Sequence, residues 1–159
     1  MVAGSSPRSG PWVALAVAIG LPLLAFLLTG DRNLNLADEG YLWYGVQRTV
    51  AGAVPLRDFQ AYDPGRYHWC ALFAPFLGTG ILAVRVAVAV FQGMGLLCGL
   101  LVARRLVAHP AWMLFFGVVL ELWMFPRHKL FEPASALMVT WVAVRLLERP
   151  SLGRHLAAG

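Results

Sequence analysis

The sequence predicts an all-α polytopic membrane protein with about four membrane-spanning helices and surface helices in a long first outer loop. Two observations carry this. Of the 159 residues, 59% are hydrophobic and only 13% are charged, about half the charged share of an ordinary soluble domain. The thirteen Lys and Arg residues also sit singly or in small groups at the ends of apolar runs, and form no basic stripe among polar residues. That placement fits membrane topology and excludes nucleic acid as the partner of the +5 net charge.

The first element is the uncharged run "PWVALAVAIGLPLLAFLLT", residues 11–29. At about 1.5 Å per residue it nearly matches a hydrocarbon core of about 30 Å. It is long for a signal-peptide core and no A-x-A site follows, so it reads as an uncleaved anchor with Arg8 keeping the N-terminus cytoplasmic. Three more spans are expected at about 81–103, 110–126 and 130–147, closed by Arg104–Arg105, by "RHK" (Arg127, His128, Lys129) and by Arg145 and Arg149. The intervening run 66–78, "RYHWCALFAPFLG", is too short to cross comfortably and is expected to be one helix along the outer interface. With this count Arg8, Arg104, Arg105, Arg149 and Arg154 all fall inside, whereas "RHK" lies outside and breaks the bias. The domain organisation is thus a single membrane domain, 1–159, with an outer loop at 30–80. The expected location is the cell membrane, the bacterial inner membrane in particular.

That loop carries five of the eight acids, and loops of such length are usually functional. A surface helix is expected at about 38–51, with Asp38 as its N-cap, Glu39 at the positive end of the helix dipole, and Tyr41, Trp43 and Tyr44 at headgroup depth. Pro55, Pro64 and Gly65 punctuate turns beyond it.

The chemistry-bearing residues form two sets. Asp38 and Glu39, supported by Asp58 and Asp63, can take a proton from an acceptor hydroxyl or bind a divalent cation. Arg127, His128 and Lys129, with Arg57 and Arg66, can hold a phosphate leaving group. The bland alternatives are a simple helix cap at Asp38 and headgroup anchoring by "RHK". Within the spans, Glu121 reads as snorkelling or pairing with Arg127 or Lys129, and Glu132 as an i,i+4 partner of His128. Arg85 reads as reaching back to the interface, and Gly93, Gly95 and Gly99 as close-packing positions. Cys70 and Cys98 have no metal or redox spacing and read as small buried hydrophobes. No metal-ligand motif, Walker loop, GxGxxG or GxSxG is present.

The stretches "DEGYLWYGVQRTVAGAVPLRDF", "YDPGRYHWCALFAPFLGTGILAVR" and "ARRL" resemble the N-terminal region of the GT-C membrane glycosyltransferases. The group concerned is the family 39-like one, with protein mannosyltransferases and aminoarabinose transferases. The resemblance covers roughly residues 11–106. It implies transfer of a sugar from a polyprenyl-phosphate donor to a lipid or glycan acceptor at the outer membrane face. It also puts Asp38 at the position of the essential first-loop acid, with Glu39 beside it. Asp63-Pro64-Gly65 stands where aminoarabinose transferases have a Lys-Pro-Pro-like turn, so Arg57, Arg66 or "RHK" would replace that lysine. Family members run to several hundred residues, so the chain is expected to be truncated. A non-catalytic membrane subunit or degenerate paralogue that retains the first-loop scaffold is the alternative. A small transporter is the third reading, weakened by the lack of polar-faced or interrupted midplane helices.

Overall fold

The computed structural model describes residues 10–30, 32, 34–107, 109–125 and 129–148. Arg127 and His128 of the basic cluster, and Arg8, Arg149 and Arg154, therefore lie outside the described residues. Those described form seven α-helices and no strand: α1 (Pro11–Thr29), α2 (Glu39–Val50), α3 (Pro64–Ala71), α4 (Ala74–Leu77), α5 (Ile81–Ala103), α6 (Pro110–Trp123) and α7 (Phe131–Glu148).

Proline begins α1, α3 and α6, at a position where the missing N–H would have had no helical partner. A second proline, Pro22, sits inside α1 and cannot donate to the Ala18 carbonyl. That carbonyl faces Gly93 of α5, where a Cβ would come within 3.2 Å of the oxygen. Glycine therefore lets α5 approach α1 where the latter's backbone ladder is interrupted.

Four helices make the bundle. Helix α1 runs antiparallel to α5, since its C-terminal Gly30 meets Arg85 and its middle meets Gly93. Helix α7 runs parallel to α5: Phe131 packs on Phe91 with ring centroids 4.8 Å apart, Ala134 faces Gly95, Leu137 faces Gly99 and Glu148 bonds Arg105. Helix α6 packs against α1 and α5, with Gly117 against Val17 and Glu121 against Gln92. Glycine on α5 and α6 is thus the device that brings these backbones together.

Helices α1 and α5 are each long and apolar enough to cross a membrane. Helix α6 is apolar but has 14 residues and ends at Trp123, short of the expected 126. Helix α7 contains Glu132, Arg145 and Glu148. The outer surfaces of α1 and α6 are apolar, with Trp12, Leu24, Leu27, Phe115 and Leu122 all more than half exposed.

The expected helix at 66–78 is instead two, α3 and α4. Pro75 has no N–H to offer the Ala71 carbonyl, so α3 ends at Ala71 and α4 restarts at Ala74 with the proline in its first turn, and Gly78 closes α4 at φ +75°. Nor does α3 merely lie on a surface. Its Arg66, Tyr67 and Cys70 are buried, and Trp69 Nε1 donates to the Ala87 carbonyl of α5 at 2.8 Å.

Candidate functional site

The start of α2 is organised by Asn35. Its side-chain oxygen accepts from Ala37 N at 3.1 Å and Asp38 N at 3.3 Å, and its carbonyl accepts from Glu39 N and Gly40 N. This turn takes up the amides that a helix N-terminus leaves open. Asp38 makes no capping hydrogen bond, contrary to the expectation. Its exposed carboxylate accepts from Asn35 Nδ2 at 2.9 Å.

Glu39 points the other way, into the bundle. Arg85 donates from Nε and Nη2 to its two carboxylate oxygens, each at 2.7 Å, and from Nη1 to the Gly30 carbonyl at 2.6 Å. Both side chains are buried. Arg85 therefore does not reach back to an interface: a guanidinium one turn into α5 is neutralised within the protein by a fork-to-fork ion pair. Glu39 has both oxygens committed to this tie.

Arg57 and Asp58 are likewise occupied with each other. Asp58 accepts from Arg57 Nε at 2.9 Å and Nη2 at 2.8 Å, and from Val54 N at 2.7 Å. The arginine bond first, and then the backbone bond, hold its carboxyl down at about 2. The pair closes the turn in which Leu56 adopts φ +73°, a left-handed conformation costly for a side chain of this kind.

Asp63 and Arg66 do open onto a cavity. A cleft of about 650 Å³ lies between α3 and the first turns of α7, with Asp63, Arg66, His68, Trp69, Glu132 and Ser135 among its lining residues. Phe91 and Phe131 complete an aromatic wall. Arg66 is only 6% exposed. Its Nη2 donates to Tyr67 Oη at 3.2 Å, its Nη1 lies 3.8 Å from Asp63, and its guanidinium stacks 4.5 Å from the Tyr62 ring centroid. Its Nε has no hydrogen-bond partner although buried. Tyr67 sits beneath, against Gly45 of α2 and edge-on to Phe59 at 5.3 Å. Cys70, one turn along α3, has its thiol pushed up to about 12 by burial, which suits an inert core residue rather than a nucleophile.

Asp38, Glu39 and Lys129 are not among the residues lining this cleft. The structure thus brings together Asp63 and Arg66 of the expected set, and adds His68, Glu132 and Ser135. No sequence spacing joins residues 68 and 132; only the packing of α3 and α7 around Phe91 does. Among the described residues no three His, Cys, Asp or Glu side chains assemble into a metal site. Comparison of the chain with protein-family models, with curated proteins and with solved structures finds no match.

Proposed function

We propose that the chain is a multi-pass membrane protein that transfers a sugar from a polyprenyl-phosphate donor, as the N-terminal part of a GT-C-type glycosyltransferase. The observation that carries this is the cleft between α3 and α7. It joins a buried arginine with an unpartnered Nε to carboxylates and an aromatic wall, the combination an amphiphilic lipid phosphate requires. Arg66 would neutralise the phosphate as the bond between the sugar and the phosphate oxygen breaks. Glu132 would accept the proton of the acceptor hydroxyl as the new glycosidic bond forms. The resemblance points instead to Asp38 as that base, so the two carboxylates are tested side by side.

Embedding in a membrane rests on the apolar outer faces of α1 and α6, which no packed helix covers among the described residues. A helix apolar on all sides needs either a protein core or lipid around it. The alternation of α1, α5, α6 and α7 fits four crossings, with the N-terminus inside and the 30–80 loop outside. Cysteine placed at Gln60 should then be labelled from the outer face of intact cells; labelling only after permeabilisation would overturn this topology.

The decisive assay is sugar transfer by the purified chain in lipid, from polyprenyl-phosphate donors. Arg66→Gln and Glu132→Gln should each cut turnover by about 10²–10⁴ while leaving insertion intact. Turnover unaffected by either would remove the cleft from the chemistry.

The second reading, a non-catalytic subunit keeping the loop scaffold, is favoured by one specific observation. Half of the acidic pair, Glu39, is committed to Arg85. Absence of transfer with every donor, together with normal insertion, would favour it.

A further inference from the structure

At the opposite end of the bundle from Arg85, the last turns of α5 and α7 enclose a second polar cleft, of about 510 Å³. Leu101, Arg104, Arg105, Trp141 and Arg145 line it. Arg105 donates from Nη2 to Glu148 at 2.8 Å, and the Arg145 guanidinium lies 5.8 Å from the Trp141 ring centroid. Among the described residues Glu148 is the one carboxylate bonded to this trio, so three guanidinium charges face one carboxylate. From Arg85 to Arg104 the helix rises about 28 Å, close to the hydrocarbon thickness of a bilayer.

We propose that this cleft binds the phosphate of an anionic phospholipid headgroup. The inference rests on the membrane reading above, which sets the cleft at the cytoplasmic surface. Two arginines remain to hold phosphate oxygens after Arg105 is paired with Glu148, and guanidinium forks suit that geometry. A zwitterionic headgroup would bring an ammonium into a cleft already cationic. Leu101 and Trp141 provide an apolar and an aromatic surface for the glycerol and the first acyl carbons, which a free phosphate ion would leave uncovered. Basic pockets between helix ends on the cytoplasmic side are recognised settings for such headgroups.

The full chain would be purified in detergent and titrated with phosphatidylglycerol, with phosphatidylcholine and with inorganic phosphate, bound lipid being read by native mass spectrometry. Phosphatidylglycerol should bind preferentially, and each of Arg104→Gln and Arg145→Gln should weaken it about fivefold, from the attraction typical of one basic side chain near an anionic surface. Arg145→Lys, which keeps the charge but loses the fork, should weaken binding less than Arg145→Gln, and Arg48→Gln, on the exposed last turn of α2, should leave it unchanged. Equal binding of the two lipids, or equal binding by wild type and the Gln variants, would overturn the proposal, as would displacement of the lipid by millimolar phosphate. Membrane fractionation separates the two levels: a chain that partitions into membranes without lipid preference sinks only this inference, whereas a chain that stays soluble sinks the membrane reading with it.

Discussion

Arg85 and Glu39, forty-six residues apart, form a buried two-point ion pair with both N···O distances at 2.7 Å. Neither charge has water to fall back on. Removing one partner of such a pair typically costs about 3–5 kcal/mol, because the other is left buried and uncompensated. Arg85→Leu and Glu39→Gln should therefore each lower the thermal midpoint sharply in detergent. The double change Glu39→Leu with Arg85→Leu should recover a large part of the loss. Single variants as stable as wild type would mean that the pair is solvated.

Asn35, not Asp38, organises the entry to α2. Asn35→Ala should cost about 1 kcal/mol, the usual worth of a cap. Asp38→Asn should change stability by less than about 0.5 kcal/mol, as exposed substitutions generally do. If transfer activity nevertheless falls by about 10²–10⁴ in Asp38→Asn, the base is Asp38 and not Glu132. Denaturant titration and the transfer assay on the same preparations check both halves.

The turn around Leu56 should depend on pH. Asp58 is held at about 2 when folded, against about 3.9 for a free aspartate. A lowered folded value means that the contribution is fully present above about pH 4, fades as pH falls, and is lost below about 2. Protection of the Val54 amide against hydrogen exchange, corrected for the intrinsic rate, should decline through that window. In Asp58→Asn the decline should disappear. Constant protection in the wild type down to pH 2 would contradict the assignment.

Gly45 touches the Tyr67 ring so closely that a Cβ has no room, and Phe59 stands 3.1 Å from the same point. Gly45→Ala must push Tyr67 and with it Arg66. Overpacking of this kind usually costs about 1–3 kcal/mol, outweighing the better helix propensity of alanine. A second readout is binding of a polyprenyl-phosphate analogue, which should weaken as Arg66 shifts. Increased stability in Gly45→Ala would show that Tyr67 can move freely.

The helices at Pro11–Thr29 and Ile81–Ala103 were legible because each is a long apolar run, interrupted in the second by Arg85 and Gln92, and bounded by glycine or by paired arginines. The break between Ala71 and Ala74 was equally available, since the ring of Pro75 removes a donor that no context restores. The Glu39–Arg85 pair was not legible. A local reading assigns the acid to chemistry and the arginine to snorkelling, and only the packing of α2 on α5 brings them together. Asn35 had a usable signal, its place just before a helix start, but such a reading gives the capping role to Asp38. The cleft needed tertiary structure entirely, because α3 (Pro64–Ala71) and α7 (Phe131–Glu148) contribute to it from separate parts of the sequence.

Arg85 binds the Gly30 carbonyl and the Glu39 carboxylate together, and so fastens the start of the segment between α1 and α5 to the start of α5 at a single point. Such a segment behaves as a cassette with a fixed socket. The entropy of closing a flexible loop rises only with the logarithm of its length, about 0.6 kcal/mol per doubling. Residues inserted in the exposed turn at 56–58 would therefore lengthen the cassette without loosening its socket. The bundle beneath can thus stay constant while the surface it presents is rebuilt.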